Sequence, residues 1–162
     1  MRNILTALSL ITPLLAGAAA AQDADPIGQL VEGYLTCFAT AGDVEMAVST
    51  FSSQGWVKGD GEDGLIYLHP GAGDATFVYL ADDGSFCHVE STSVDSATAS
   101  EVLATALETA GVTDIEYNKD EMGCTQLGYG DGMTATITSG GNDPTCGSDT
   151  DSGVRFAFAA TE

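Results

Sequence analysis

Thr76-Phe77-Val78-Tyr79-Leu80-Ala81-Asp82-Asp83-Gly84-Ser85-Phe86-Cys87-His88-Val89-Glu90-Ser91 reads as a strand, a tight turn and a second strand. Aromatic and β-branched residues fill Thr76–Ala81 and 85–91, and Asp83-Gly84 between them tolerates the positive φ of a two-residue hairpin turn. In that register Tyr79 lies opposite His88 and Leu80 opposite Cys87. Leu65–His69, just upstream, has the same character and makes a third strand. Alternation then gathers Ile66, Leu68, Val78, Leu80, Cys87 and Val89 on one face. The other face collects Leu65, Tyr67, His69, Phe77, Tyr79, Phe86 and His88. A three-residue turn would slip the last strand by one and mix the two sets, so the segregating register is expected.

Sheet faces in small domains are usually aliphatic on one side and polar on the other; this hairpin is apolar on both. The aliphatic face calls for helices, and the flanking sequence supplies them. Asp25-Pro26 caps and opens a helix whose stripe is Ile27, Leu30, Val31, Tyr34, Leu35 and Phe38, with Cys37 pointing toward the same side. Gly42 ends it. Asp43 caps a second helix with Val44, Ala47, Val48 and Phe51 inward, stopped by Gly55 before Trp56. Residues 58–64 form an acidic, glycine-rich turn. Beyond the hairpin, Asp95 or Ser96 starts a third helix that turns Ala99, Val102, Leu103, Ala106, Leu107 and Ala110 inward and ends at Gly111. Strands are expected over 113–117, 124–129, 133–139 and 154–159, with a turn at Gly130-Asp131-Gly132 and a polar loop over 140–153. The fold class is therefore α+β, with helices packed on one face of an antiparallel sheet. Each half runs from a cysteine through a helix and a glycine (Gly55, Gly111) into antiparallel strands and a second cysteine. That is the pattern of two similar halves, although helix–glycine–strand is common punctuation.

Residues 1–21 have the three parts of a secretory signal: basic Arg2, a short apolar run broken by Pro13, and the small-residue end Ala19-Ala20-Ala21. A membrane span needs about 18 or more consecutive apolar residues, more than this run supplies. No cysteine stands where a lipoprotein signal would be acylated. Cleavage before Gln22 leaves residues 22–162 as a single domain, in the bacterial periplasm or medium. Cys37, Cys87, Cys124 and Cys146 then form an even set in an oxidising compartment, which implies two disulfides. Cys37 faces the core from the first helix and Cys87 lies on the aliphatic hairpin face, which pairs them. Cys124 and Cys146 meet at one edge of an up-down-up meander, which pairs those. No Cys-x-x-Cys occurs, against zinc or a thioredoxin-like centre.

The chain has 24 acidic and 4 basic side chains, a formal charge of −20. Losing Arg2 with the signal leaves 24 against 3, or −21. Nucleic acid and anionic membrane are excluded as partners, since both need a basic patch. The acids are spread along the chain, as in a protein kept soluble in salt; steering of a cationic partner and calcium loading are the functional alternatives. Asp149-Thr150-Asp151-Ser152-Gly153 and Asp60-Gly61-Glu62-Asp63-Gly64 fail the spacing of a calcium hand. Gly-x-Ser-x-Gly and His-Glu-x-x-His are absent, and neither Gly71-Ala72-Gly73 nor 128–132 completes a nucleotide-binding loop. The residues thus imply no cofactor, no metal site and no catalytic set.

The remaining candidate is the aromatic hairpin face of Tyr67, His69, Phe77, Tyr79, Phe86 and His88. Exposed, it is a platform for a protein or small ligand; because large aromatics are usually buried, the expectation is that another part of the same domain, such as the second half's strands, covers it. The leading functional reading is a non-enzymatic binding or interaction module. One alternative is a small periplasmic enzyme using His69 or His88 with nearby carboxylates; another is a structural or envelope-stress component. Convergence of Tyr67, His69, Tyr79 and His88 on one open concavity would favour the enzyme, a flat open face would favour binding, and a covered face would remove both.

Overall fold

A computed structural model describes residues 25–62, 64–71, 75–130, 132–141 and 144–159. The export signal expected over residues 1–21, and Asp131 of the expected turn, lie outside these residues. The elements run α1 (Pro26–Thr40), α2 (Val44–Ser53), β1 (Val57–Lys58), β2 (Leu65–His69), β3 (Thr76–Ala81), β4 (Phe86–Ser91), α3 (Ser96–Thr109), β5 (Glu116–Lys119), β6 (Thr125–Tyr129), β7 (Met133–Thr138) and β8 (Ser152–Ala157). All eight strands join one antiparallel sheet in the order β1-β2-β3-β4-β8-β7-β6-β5. The three helices pack against this sheet: α1 lies on β3, β4 and β8, α3 lies on β7 and β8, and α1 also touches both other helices.

The hairpin has the expected pairing, with Tyr79 opposite His88 and Leu80 opposite Cys87. Its turn is built differently. Gly84 alone takes a positive φ, of 75°; its N–H donates to the Ala81 carbonyl, and the Asp83 carboxylate accepts from the Ser85 N–H. Asp83 therefore contributes a side-chain acceptor rather than an unusual backbone conformation.

The helix-side face of the sheet carries Leu68, Val78, Leu80, Val89, Val154, Phe156, Ala135, Ile137 and Leu127, all buried against Leu30, Tyr34, Phe51, Leu103 and Leu107. Each such Leu or Phe contributes about 1.5–3 kcal/mol when fully removed from water. Tyr34 is wholly enclosed, and burial pushes its phenol far above the ordinary tyrosine range. The buried side of α1 is rotated from the expected stripe. Gly33, Thr36, Cys37 and Thr40 face inward with Leu30 and Tyr34, while Ile27 stays 39% exposed. Gly33 is the cause, since a Cβ there would stand 2.8 Å from Val89 Cγ1. Without that atom the helix settles onto β4 along its glycine side.

Cys37 is joined to Cys87, tying α1 to β4, and Cys124 is joined to Cys146, tying the start of β6 to the β7–β8 connection. β5 and β8 are displaced by two or three residues from the sequence expectation, whereas β4, β6 and β7 differ from it by one residue at one end. Asp114 adopts φ 62°, outside the strand region, so β5 begins only at Glu116 rather than 113 and is exposed throughout. β8 starts two residues earlier than expected, at Ser152. The short edge strand β1 falls partly in what reads as a turn.

Candidate binding cleft

Tyr67, Tyr79, His88, Arg155 and Thr136 occupy successive cross-strand positions on β2, β3, β4, β8 and β7. They form one row on the face opposite the helices. At about 4.8 Å per strand the row spans about 19 Å. Phe86 and Glu90 flank His88 along β4, two residues to either side, and Thr138 lies two residues beyond Thr136. Loops rise around this floor: Asp60, Gly61 and Glu62 before β2, Asp120 and Met122 between β5 and β6, and Gly141 and Pro144 between β7 and β8. Together they enclose a cleft of about 630 Å³.

The walls are held by specific bonds. The Asp120 carboxylate accepts from the Met122 and Cys124 N–H groups at 2.9 and 2.8 Å, closing the β5–β6 turn. The Cys124–Cys146 bridge then fixes that turn to the opposite loop. Glu90, only 8% exposed, accepts from the Gly141 N–H at 2.7 Å and so draws the β7–β8 connection down over β4. Its other oxygen lies 3.5 Å from His88 Nε2. His88 rests over β8 where the backbone has no side chain, since a Cβ at Gly153 would come within 2.9 Å of its ring. Gly59 seats the first loop on Tyr67 in the same way, with its hypothetical Cβ at 2.6 Å from the ring.

The floor is aromatic and charged in different places. Tyr67 and Tyr79 have ring centroids 5.4 Å apart. The Arg155 guanidinium lies 4.0 Å over the Phe86 ring, a cation–π contact; among the described residues no carboxylate pairs with it. The Tyr79 phenol is pushed upward, first by burial and then by the negative charge of Glu90, the neighbouring Tyr67 and Glu62. The cleft is therefore a negatively charged space at its tyrosine end and carries one guanidinium at its centre.

Of the six aromatic and histidine residues singled out on the hairpin, Tyr67, Tyr79, Phe86 and His88 line the cleft. His69 and Phe77 do not. His69 stacks on Tyr67 at 5.6 Å, and Phe77 packs against Tyr67 and Tyr79 at 5.9 and 5.6 Å, buttressing the rings from beside the opening. Among the described residues the cover expected from the second half's strands is absent. The second half's strands do not lie across this face; β8 pairs edge to edge with β4 and extends the same sheet. Its backbone groups are satisfied in that way, which leaves the aromatic face half-exposed.

Sequence reasoning missed Glu90, Arg155 and Thr136. The signal lay in alternation: Glu90 follows His88 by two, and Arg155 is the lone charge among the apolar residues of β8. The loop walls carried no such signal, because their approach depends on the Cys124–Cys146 bridge and the Glu90–Gly141 bond. Asp120, Cys124 and Cys146 also group within 4.8 Å, but the two sulfurs are bonded to each other and thiolate is the metal-binding form.

No protein-family model, curated protein or solved structure matches this chain. No described helix is long and apolar enough to cross a membrane. The two disulfides indicate an oxidising compartment.

Proposed function

We propose that this chain is an exported binding domain that holds its ligand in the cleft over the open sheet face. The observation that carries this reading is the row Tyr67, Tyr79, His88, Arg155 and Thr136 beneath an open volume of about 630 Å³. Small-ligand sites range over about 300–1,000 Å³ and combine aromatic lining with a few polar groups. Export to the bacterial periplasm or medium is supported by the three-part pattern of residues 1–21 and by the disulfides. A duplicated origin is supported by the sheet order, in which β1–β4 and β5–β8 run outward from the central β4/β8 pair.

Substitution of Tyr67 and Tyr79 together by Ser tests the binding reading. These side chains are only half-buried, so the double variant should lose no more than about 1 kcal/mol of stability. Compounds that raise the melting temperature of the mature protein by mass action should lose that effect in the variant. A loss of several kcal/mol, as for core truncations, would make the face structural and end the reading.

A second reading, an acid–base enzyme, is favoured by the His88–Glu90 pair: a nearly buried carboxylate at 3.5 Å from an imidazole is the arrangement that orients a general base. Three of the four residues whose convergence would favour an enzyme do line one concavity, and His69 is the exception. Binding remains the stronger reading because, among the described residues, no hydroxyl or thiol is hydrogen-bonded to His88. Loss of a turnover on His88→Gln with ligand affinity retained would favour the enzyme.

A further inference from the structure

The cleft is poor in positive charge and rich in both aromatic surface and carboxylates. Asp60, Glu62, Glu90 and Asp120 line it against the single guanidinium of Arg155. Two of these acids lie at the tyrosine end. Glu90 is diagonal to Tyr79 across the β3–β4 pair, since its cross-strand partner is Phe77, two residues from Tyr79; Glu62 rises on the loop preceding β2. Burial first, and then the charge of Glu90 with smaller contributions from Tyr67 and Glu62, holds the Tyr79 phenol in the neutral form to higher pH than usual. Two half-exposed tyrosine rings with carboxylates beside them present what a cation seeks: the negative face of a π-system, plus counter-charge at the margin.

The same floor already carries one cation. Arg155 sits at 4.0 Å on Phe86, exposed to solvent. Phe86 lies on β4, one strand step of about 4.8 Å from β3, so the guanidinium over its ring competes with a cation seated at the tyrosines. Against that one charge stand the two carboxylates that act on Tyr79, Glu90 and Glu62. The formal charge of −20 on the whole chain adds a long-range pull of the same sign.

Resting on the binding reading above, we infer that the ligand of this cleft is an organic cation, with its ammonium or guanidinium group seated against Tyr67 and Tyr79 and Glu62 and Glu90 as counter-charges. The group can belong to a free small molecule or to a basic side chain of a peptide.

Calorimetric titration of the mature, disulfide-bonded protein separates these cases. The probes are N-acetyl-arginine amide, the blocked peptide N-acetyl-Gly-Arg-Gly amide, their neutral citrulline counterparts and N-acetyl-glutamate amide. Both arginine probes should bind, the citrulline probes at least tenfold more weakly, and added sodium chloride should weaken the arginine probes alone. Similar affinity for the two arginine probes indicates a small-molecule source; a much tighter peptide indicates a polypeptide segment. Tyr79→Leu should cost at least fivefold and Glu62→Gln about threefold, with melting curves unchanged. Arg155→Gln, which removes the competing charge, should tighten binding up to about threefold. Equal binding of citrulline and arginine, or no saturable binding of any probe, overturns the inference. Binding of the glutamate probe that disappears in Arg155→Gln also overturns it, while leaving the cleft a binding site.

Discussion

Gly33 shows how one missing atom orients a helix. Its neighbour Val89 is fully buried and cannot retreat, so a Cβ at 2.8 Å must push α1 off β4. Gly33→Ala gains about 1 kcal/mol of helix propensity but incurs an overpacking cost of about 1–3 kcal/mol. Thermal unfolding should therefore show a net loss of about 1 kcal/mol. Gly28 is the control on the same helix. The group its Cβ would meet is the side chain of Asp25, an exposed residue able to swing away, so Gly28→Ala should be neutral or stabilising. Equal effects from the two substitutions would show that contact with Val89 is not what matters. The glycines under the cleft work by the same physics: Gly153 beneath His88 and Gly59 against Tyr67 are places where a ring occupies the space of a side chain.

The helices are secured unequally at their starts. Asp95 accepts from the Thr98 N–H at 2.9 Å and the Thr98 hydroxyl at 2.7 Å, whereas Asp25 caps α1 without any side-chain bond. Those bonds hold the Asp95 carboxyl below its ordinary pKa. A folded-state pKa lower than the unfolded one means stability that is present above the unfolded value, about 3.9, and lost as pH falls through the folded value. Asp95→Ala should lower the melting temperature at neutral pH, and the gap to the unmodified protein should narrow in acid; Asp25→Ala should change it less. A gap independent of pH would mean that the capping bonds do not hold the charged form. The two disulfides divide labour in a similar way. By loop entropy the bridge across 50 residues stabilises by about 4 kcal/mol and that across 22 residues by about 3 kcal/mol. Replacing Cys37 and Cys87 by Ala should also loosen α1 from the core and produce the larger fall in denaturation midpoint. Replacing Cys124 and Cys146 should spare the core but weaken any cleft ligand, because that bridge fixes two of the three walls. The opposite ranking in midpoint would mean that the loop bridge, not the helix bridge, carries the fold.

The whole molecule carries a charge of −20 with only four basic side chains. Like charges oppose compaction, and salt screens them within about 8 Å at physiological strength. The melting temperature should therefore rise along a sodium chloride series, and a flat or falling series would refute self-repulsion as a significant term. Calcium at matched ionic strength should add little; a much larger rise would indicate a specific site on the acidic loops. The same field bears on the cleft, where a cation entering between Glu62 and Glu90 relieves repulsion that folding created.

Much of the architecture is legible in short stretches of sequence. The segregation of Val78, Leu80, Cys87 and Val89 from Phe77, Tyr79, Phe86 and His88 is a property of strand alternation, and it forces the hairpin register. Caps at Asp43 and Asp95, and the glycine after α1, are equally local. What alternation cannot decide is which surface meets which. The pairing of β4 with β8 rather than stacking of one half on the other is a competition between distant segments, won by completing backbone hydrogen bonds along an open edge. That choice alone leaves the aromatic face uncovered, aligns Arg155 and Thr136 with Tyr67, Tyr79 and His88, and brings Glu90 under Gly141. The sequence by itself therefore determined which side chains share a face; only the tertiary structure decided that one of those faces is the floor of a cleft.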